Sequence, residues 1–262
     1  MTTIAPFQTQ VDGITLRGAQ YLPAGPGPFP TAILFHGFGA SHVEFSSAFV
    51  ALARRLAAVG IASIAYDRAG HGESDGEFYD TSVSLDVRHA HQALASIAGL
   101  DTVDADNLHL VGMSLGAVIA SVLAAETALP LRSLTMWSTA AVFADEIRGG
   151  TLQGRSLGTL DSDGYFDFLG MRLGPAMRDD AVSFDVYGRA SGYAGPVRLL
   201  HGTEDFVPVA YAERYLEIYG DRADLTVVDG ADHGWAQVPQ RELVLSRTTE
   251  FIEANTHRTE TR

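Results

Sequence analysis

The hydrophobic positions of this chain fall into two patterns, short apolar runs and longer segments of helical period. The continuous apolar runs are residues 31–35, 61–66, 108–111, 131–137, 197–200 and 225–228. Runs of this length without alternation are typical of strands buried on both faces of a sheet. The segments of helical period lie between and after them, at residues 44–59, 82–98, 114–126, 209–219 and 239–254. Strand and helix in alternation predict a mostly parallel α/β sheet with helices on both faces.

The N-terminal segment departs from this repeat. Residues 7–11 and 14–22 alternate apolar and polar side chains on either side of Asp12-Gly13. Asp-Gly between two such segments is a strong hairpin signal. We therefore expect the sheet to begin with an antiparallel hairpin.

Residues 140–193 also depart from the repeat, since they hold glycines, aromatics and acidic residues without a clear strand–helix unit. A connection this long needs a role, and its aromatic and leucine content argues against disorder. We expect one domain, with a core of residues 1–139 and 194–262 and an inserted lid of residues 140–193. A peripheral decoration without a role in binding is the alternative.

Composition narrows the chemistry of the chain. Its 262 residues include no cysteine, which excludes thiolate nucleophiles, disulfides and cysteine metal sites. All 18 basic residues are arginines, so lysine Schiff-base chemistry is excluded too. A formal net charge of −14 argues against nucleic-acid or anionic-membrane partners, because both need a basic face.

The start of the chain predicts a location. The first seven residues lack the basic patch and apolar run of a secretory signal. The longest apolar run, residues 113–125, is shorter than the roughly 18 residues that cross a bilayer. We expect a soluble, cytoplasmic protein; earlier removal of a signal and assembly as a homodimer stay open.

A serine stands at the junction of one predicted strand and the next helix. Residues 112–116 read Gly-Met-Ser-Leu-Gly, between the apolar run 108–111 and the small-residue segment 117–125. Serine at such a turn is held in a strained conformation with its hydroxyl exposed above the sheet. Ser114 is therefore a candidate nucleophile, although a motif this short also occurs as a plain packing turn.

A glycine-rich loop follows the strand at residues 31–35. It reads His-Gly-Phe-Gly-Ala at residues 36–40. The carboxyl ends of parallel strands form one crevice, so the backbone N–H of Phe38 is expected near Ser114. With the N–H of Leu115 it would form an oxyanion hole, whereas His36 is expected to support the loop. A turn without a function is the alternative.

An acid and a histidine follow two later strands. Asp205 stands in the loop after residues 197–200 and is preferred to Glu204 and to Asp145 as the acid. His233, the candidate base, follows the last predicted strand and gives the order Ser, acid, His. The other histidines lack the close spacing of metal ligands, so we expect no metal and no cofactor.

With these residues the chain resembles the α/β-hydrolases over nearly its whole length, and more narrowly the small bacterial cinnamoyl (feruloyl) esterases. The motifs that carry the resemblance are residues 36–39, 67–74 (Asp-Arg-Ala-Gly-His-Gly-Glu-Ser), 112–116, 201–205 and 230–233. The resemblance implies the α/β-hydrolase fold, and a small lid at residues 140–193 that holds an aromatic acyl group. It also places Gln153 where a family glutamine contacts the phenolic ring.

Together the motifs predict a serine carboxylesterase for small-molecule esters with aromatic (feruloyl-type) or short acyl groups. Tyr165 and Phe166 are further candidates for binding the acyl group, although they fit the core of the lid equally well. An acylglycerol lipase, a thioesterase or a peptidase would use the same triad. A small-molecule binding protein on a hydrolase scaffold is the alternative from another class.

Overall fold

The computed structural model describes residues 2–257. Its strands are β1 Thr3–Val11, β2 Ile14–Leu22, β3 Phe29–Phe35, β4 Ala62–Tyr66, β5 Val103–Met113, β6 Leu131–Trp137, β7 Thr151–Leu152, β8 Arg155–Ser156, β9 Phe166–Phe168, β10 Met171–Leu173, β11 Val197–Glu204 and β12 Ala223–Asp232. Eight of them form one sheet in the order β1-β2-β4-β3-β5-β6-β11-β12. Strands β1 and β2 pair antiparallel, as do β2 and β4, and the other pairs are parallel. The α/β fold and its antiparallel N-terminal hairpin are therefore confirmed.

Helices cover both faces of this sheet. They are α1 Ala48–Ala58, α2 Val83–Ala98, α3 Leu115–Glu126, α4 Val142–Arg148, α5 Thr159–Ser162, α6 Pro175–Ala181, α7 Val186–Ala190, α8 Ala210–Tyr219 and α9 Val238–Ala254. Helices α1 and α9 pack in one hydrophobic cluster, whereas α2, α3 and α8 pack in another on the opposite face. Three short 3₁₀ helices, Phe45–Ser47, Phe78–Asp80 and Gly220–Arg222, complete the helical elements of the described residues.

Strand β3 shows why the apolar runs are continuous. Ile33 and Phe35 belong to the cluster with α2 and α3, and Ala32 and Leu34 belong to the cluster with α1 and α9. Successive side chains of a strand point to opposite faces, so a strand covered on both sides needs apolar residues at every position.

Several element boundaries differ from the prediction. Strand β1 begins at Thr3 and β3 at Phe29, because their pairing with neighbouring strands extends beyond the apolar runs. Helix α1 begins at Ala48 rather than residue 44, since Glu44, Ser46 and Ser47 all have positive φ angles, which a right-handed helix does not accept.

Residues 140–193 contain helices α4–α7 and two small hairpins. Hairpin β7–β8 turns through Gln153-Gly154 and β9–β10 through Leu169-Gly170, all at positive φ. Two-residue turns of this conformation match the twist of the paired strands. Strands of two or three residues are too short to show an alternating pattern in the sequence.

The carboxyl ends of β3, β5, β11 and β12 lie at one edge of the parallel part of the sheet. The residues that follow these ends are the loop at 36–40, Ser114, Asp205 and His233. Across residues 2–257, no helix combines the length and the hydropathy that crossing a membrane requires.

Candidate active site

Ser114 lies in a strained turn between β5 and α3. Its backbone has φ 57° and ψ −121°, outside the regions that non-glycine residues ordinarily occupy. A Cβ on Gly112 would lie 2.4 Å from the Cα of Ala117, and one on Gly116 would lie 2.1 Å from the carbonyl oxygen of Phe35. Both flanking glycines are therefore required by close backbone packing, which brings the start of α3 against β3.

The side chains of Ser114, His233 and Asp205 form a chain of hydrogen bonds. Nε2 of His233 lies 2.9 Å from the Ser114 hydroxyl oxygen, and Nδ1 lies 2.7 Å from Oδ1 of Asp205. A carboxylate can only accept, so Nδ1 carries the proton of the neutral ring. Nε2 is then free to accept the hydroxyl proton of Ser114.

The side chain of Asp205 is fully buried. Burial raises its pKa, but the hydrogen bond and charge of His233, with the N–H of Val207 at 2.8 Å, outweigh burial and leave the pKa below its ordinary value. Asp205 is therefore ionised at neutral pH. It can hold the imidazole in one tautomer and stabilise its protonated form.

Neither rival acid is bonded to the imidazole of His233. Glu204 is exposed and makes no contact with the imidazole of His233 within hydrogen-bond distance among the described residues. Asp145 lies on α4, where it pairs with Arg148 at 3.0 Å and accepts the hydroxyl of Tyr211 at 2.9 Å. Of the three carboxylates, the structure brings Asp205 to the histidine.

His36 supports the glycine-rich loop from below. It is fully buried, and burial lowers its pKa well below the ordinary value, so the ring is neutral. Nε2 accepts the backbone N–H of Arg68 at 3.0 Å, and Nδ1 therefore donates to the carbonyl of Gly37 at 2.8 Å. The guanidinium of Arg68, which pairs with buried Asp86 on α2, donates to the same carbonyl at 2.9 Å.

The N–H groups of Phe38 and Leu115 are the candidate oxyanion donors. Both residues lie beside Ser114 and line the same small cavity with it. In the part of the chain that the structure describes, neither N–H donates to a protein acceptor. They can therefore serve an oxygen of a bound molecule.

Two cavities meet at Ser114. The larger, of about 620 Å³, also borders His233 and is lined by Glu44, Phe45, Glu204 and Asp232. The smaller, of about 40 Å³, lies against residues 140–193 and is lined by Val142, Phe143, Ile147 and Leu152. Phe206, whose ring lies 4.2 Å from that of His233, borders both.

Of the three predicted acyl-binding residues, one lines the cavities and two do not. Gln153 lines both cavities. Tyr165 and Phe166 line neither: the ring of Tyr165 lies under Arg172, and Phe166 is buried in the hydrophobic core. In hairpin β9–β10 it is Phe168 and the turn residue Leu169 that line the larger cavity.

Three residues that line the larger cavity could not be predicted from the sequence. Phe45 and Phe206 are about half exposed at the mouth of the larger cavity, and Glu44 is buried beside it. None belongs to a motif, and Glu44 falls inside a stretch that reads as helix. Among residues 2–257 no three His, Asp or Glu side chains are arranged to hold a metal ion.

The model of the alpha/beta hydrolase family matches residues 32–246 of this chain. The match extends over most of the sheet and includes Ser114, Asp205 and His233. The chain therefore belongs to the alpha/beta hydrolase family.

Solved structures agree with this assignment. The structure of Est1E from Butyrivibrio proteoclasticus with ferulic acid bound is 25% identical, with a TM-score of 0.84 and coverage of 95% of this chain and 98% of that one. A putative hydrolase from Agrobacterium vitis S4 is 21% identical, with a TM-score of 0.77 and coverage of 96% and 99%, and supports the fold alone. No curated protein matches the sequence. The match to Est1E agrees with the narrower resemblance that the motifs carry, to bacterial feruloyl esterases.

Proposed function

We propose that this chain is a serine carboxylesterase that hydrolyses small-molecule esters through an acyl-enzyme. The observation that carries the proposal is the continuous chain of hydrogen bonds from Ser114 through His233 to buried Asp205, at 2.9 and 2.7 Å. These are the distances and the order of roles that an activated serine requires.

The reaction follows from these contacts. Ser114 attacks the ester carbonyl carbon while Nε2 of His233 takes its proton, and the N–H groups of Phe38 and Leu115 hold the oxyanion. When the tetrahedral intermediate collapses, His233 returns the proton to the departing alcohol. Water, deprotonated by His233, then attacks the acyl-enzyme and releases the carboxylic acid and Ser114.

Each of the two cavities takes one half of the ester, the alcohol or the acyl group. The alcohol oxygen must lie within reach of His233, because it receives its proton from that ring. His233 borders the larger cavity and not the smaller one, so the alcohol occupies the larger. The acyl group then enters the small cavity beneath residues 140–193, which we propose act as the lid.

The volume of the small cavity bears on the acyl group. Its roughly 40 Å³ is small beside the roughly 620 Å³ of the larger cavity. A short acyl group such as acetyl enters with little rearrangement. A feruloyl-type group needs the side chains of Gln153 and Phe206, which line both cavities, to move and join them.

A substrate panel tests the proposal. The 4-nitrophenyl esters of acetic and ferulic acid share a leaving group, so their relative kcat/KM reports on the acyl group alone. We expect hydrolysis of at least one of them, and loss of nearly all of it in Ser114→Ala. Turnover of long-chain monoacylglycerols alone would instead support a lipase, and preference for acyl thioesters or peptides would support a thioesterase or a peptidase.

A binding protein on the same fold is separated from an enzyme by covalent labelling. A fluorophosphonate reacts with an activated serine and leaves a stable adduct. A folded protein that binds esters but neither turns them over nor gains this adduct at Ser114 is a binder.

A further inference from the structure

Glu44 combines a backbone conformation typical of glycine with a buried carboxylate. Its φ is 59° and its ψ is 171°, a region that glycine occupies almost alone. Its exposed fraction is 8%, although glutamate is rarely so buried. A residue held in a strained conformation, with a buried charge, calls for a reason in its side-chain contacts.

The carboxylate of Glu44 makes two hydrogen bonds to backbone N–H groups. Oε1 accepts from Phe45 at 2.9 Å, and Oε2 accepts from Gly37 at 2.7 Å. The first bond is a local cap of the 3₁₀ helix that starts at Phe45. The second reaches back seven residues to the glycine-rich loop and is not needed for the cap.

Gly37 lies between this carboxylate and the candidate nucleophile. A Cβ on Gly37 would lie 3.4 Å from Cβ of Ser114 and 3.6 Å from Oε2 of Glu44. The next N–H in the chain is that of Phe38, a candidate oxyanion donor. Any rotation of Gly37 therefore changes the direction of the Phe38 N–H at the cavity.

The carbonyl of Gly37 is fixed by hydrogen bonds as well. It accepts the guanidinium of Arg68 at 2.9 Å and Nδ1 of His36 at 2.8 Å. In a trans peptide the carbonyl and the following N–H point in opposite directions. Because Arg68 and His36 donate to the Gly37 carbonyl, the N–H of Phe38 in the same peptide points away from them. Glu44 holds the peptide before it, through the N–H of Gly37.

We propose that Glu44 is a positioning residue of the oxyanion hole, whose carboxylate holds Gly37 so that the N–H of Phe38 faces the carbonyl under attack. This inference rests on the proposed esterase function. It gives a function to both unusual features of Glu44, its glycine-like backbone conformation and its burial. Burial raises the pKa of Glu44 above its ordinary value, although the two N–H groups lower it in part.

The test uses two substitutions and one control. Glu44→Gly removes the carboxylate and relieves the backbone, and Glu44→Gln keeps the size of the side chain but has one acceptor oxygen. Glu242→Gln, which removes an exposed partner of Arg55, is the control. For each variant, kcat and KM are measured with 4-nitrophenyl acetate, the affinity is measured for a boronic acid that forms a tetrahedral adduct on Ser114, and the melting temperature is recorded.

Losing an oxyanion donor outright costs about 10²–10³ in rate, so a misdirected one should lower kcat by about 10- to 100-fold. We expect this loss in both Glu44 variants, with boronic acid affinity falling in parallel and KM nearly unchanged. The melting temperature of Glu44→Gly should equal or exceed that of the wild type, and the control should match the wild type throughout.

Two outcomes overturn the proposal while the esterase function stands. The first is a wild-type kcat in Glu44→Gly. The second is a loss of kcat in both variants together with a lowered melting temperature, which would make the role of Glu44 structural. Absence of turnover in the wild type is a different result, since it overturns the proposed function itself.

Discussion

The hydroxyl of Ser114 lies 2.9 Å from one nitrogen of His233, and the other nitrogen lies 2.7 Å from Asp205. These residues are separated by 119 and 28 positions in the chain, yet each directly follows a strand of the same sheet. Rigid strand ends fix such side chains more tightly than loops alone could. The geometry needed for general base catalysis is thus present before any substrate binds.

Asp205 and Asp145 allow a matched test of the acid. Asp205→Asn places an amide against Nδ1 of His233, which favours the wrong tautomer of the ring. We expect kcat to fall by about 10⁴-fold, the scale known for this change in serine proteases. Asp145→Asn, at an acid bound to Arg148 and Tyr211, should keep kcat within about twofold of the wild type. Equal losses in the two variants would contradict the assignment of Asp205.

Phe206 allows a test of acyl-group selection. Phe206 is 53% exposed, and its ring lies 4.2 Å from that of His233. Phe206→Ala can therefore change kcat for every ester, and the ratio between two esters is what reports on the acyl group. Removing its ring opens the wall between the two cavities. We expect the kcat/KM ratio of 4-nitrophenyl ferulate to 4-nitrophenyl acetate to rise several-fold, measured on both esters in parallel. An unchanged or lower ratio would show that the acyl group does not pass this ring.

The residues of the site differ in how far sequence could predict them. Ser114, Asp205 and His233 were predictable because each follows a strand and because their order matches the fold. Glu44 and Phe206 were not, since their place beside the cavity depends on which loops the fold brings together. Tyr165 and Phe166 were expected as candidates near the acyl group, but they line neither cavity. Aromatic character alone does not show which rings reach the cavity, because that depends on the register of hairpin β9–β10.

At the scale of elements, the contact between α3 and β3 fixes the site. Helix α3 is buried all round, from Leu115 to Ala124, and Gly116 lies against the end of β3. Core elements of this kind were predictable because burial on all sides leaves an apolar run that sequence shows directly. The hairpins of residues 140–193 were not, because two-residue turns and very short strands leave little periodicity.

Gly116→Ala tests this contact. The added Cβ would lie 2.1 Å from the carbonyl oxygen of Phe35, so α3 and β3 must move apart. We expect a lower melting temperature and a loss of at least about tenfold in kcat/KM, because the Leu115 N–H moves with the helix. Gly99→Ala is the control, since its Cβ meets no atom closer than 3.5 Å. A fully active Gly116→Ala protein would mean that this packing does not position the site.

At the scale of the whole molecule, the buried histidines lower the stability of the fold in acid. Burial lowers the pKa of His71 and of His109 to about 3 and that of His36 well below its ordinary value. The unfolded chain takes up a proton at each ring below about pH 6.5, whereas the folded chain does so only near pH 3 at His71 and His109, and at His36 well below its ordinary pKa. Protons therefore favour the unfolded state in this window, and stability falls as the pH falls from about 6.5 to about 3.

His109 isolates one part of this effect. It is fully buried and bonded to Ser133 at 2.8 Å and Thr256 at 3.2 Å, and an amide can replace those bonds. We measure the free energy of unfolding in urea between pH 6 and 4. For each pH unit of acidification, His109→Gln should lose about 1.4 kcal/mol less of this free energy than the wild type. An identical pH dependence in the two proteins would contradict the assignment of a neutral, buried His109.

The central claim is that His233 and Asp205 activate Ser114 as a nucleophile. It is tested most directly by incubating the folded protein with a fluorophosphonate and locating the adduct by peptide mass spectrometry. The account predicts one adduct, on Ser114, formed at least about 10²-fold more slowly in His233→Ala. Ester hydrolysis by a protein that gains no adduct on Ser114, or equal labelling rates with and without the imidazole, would contradict it.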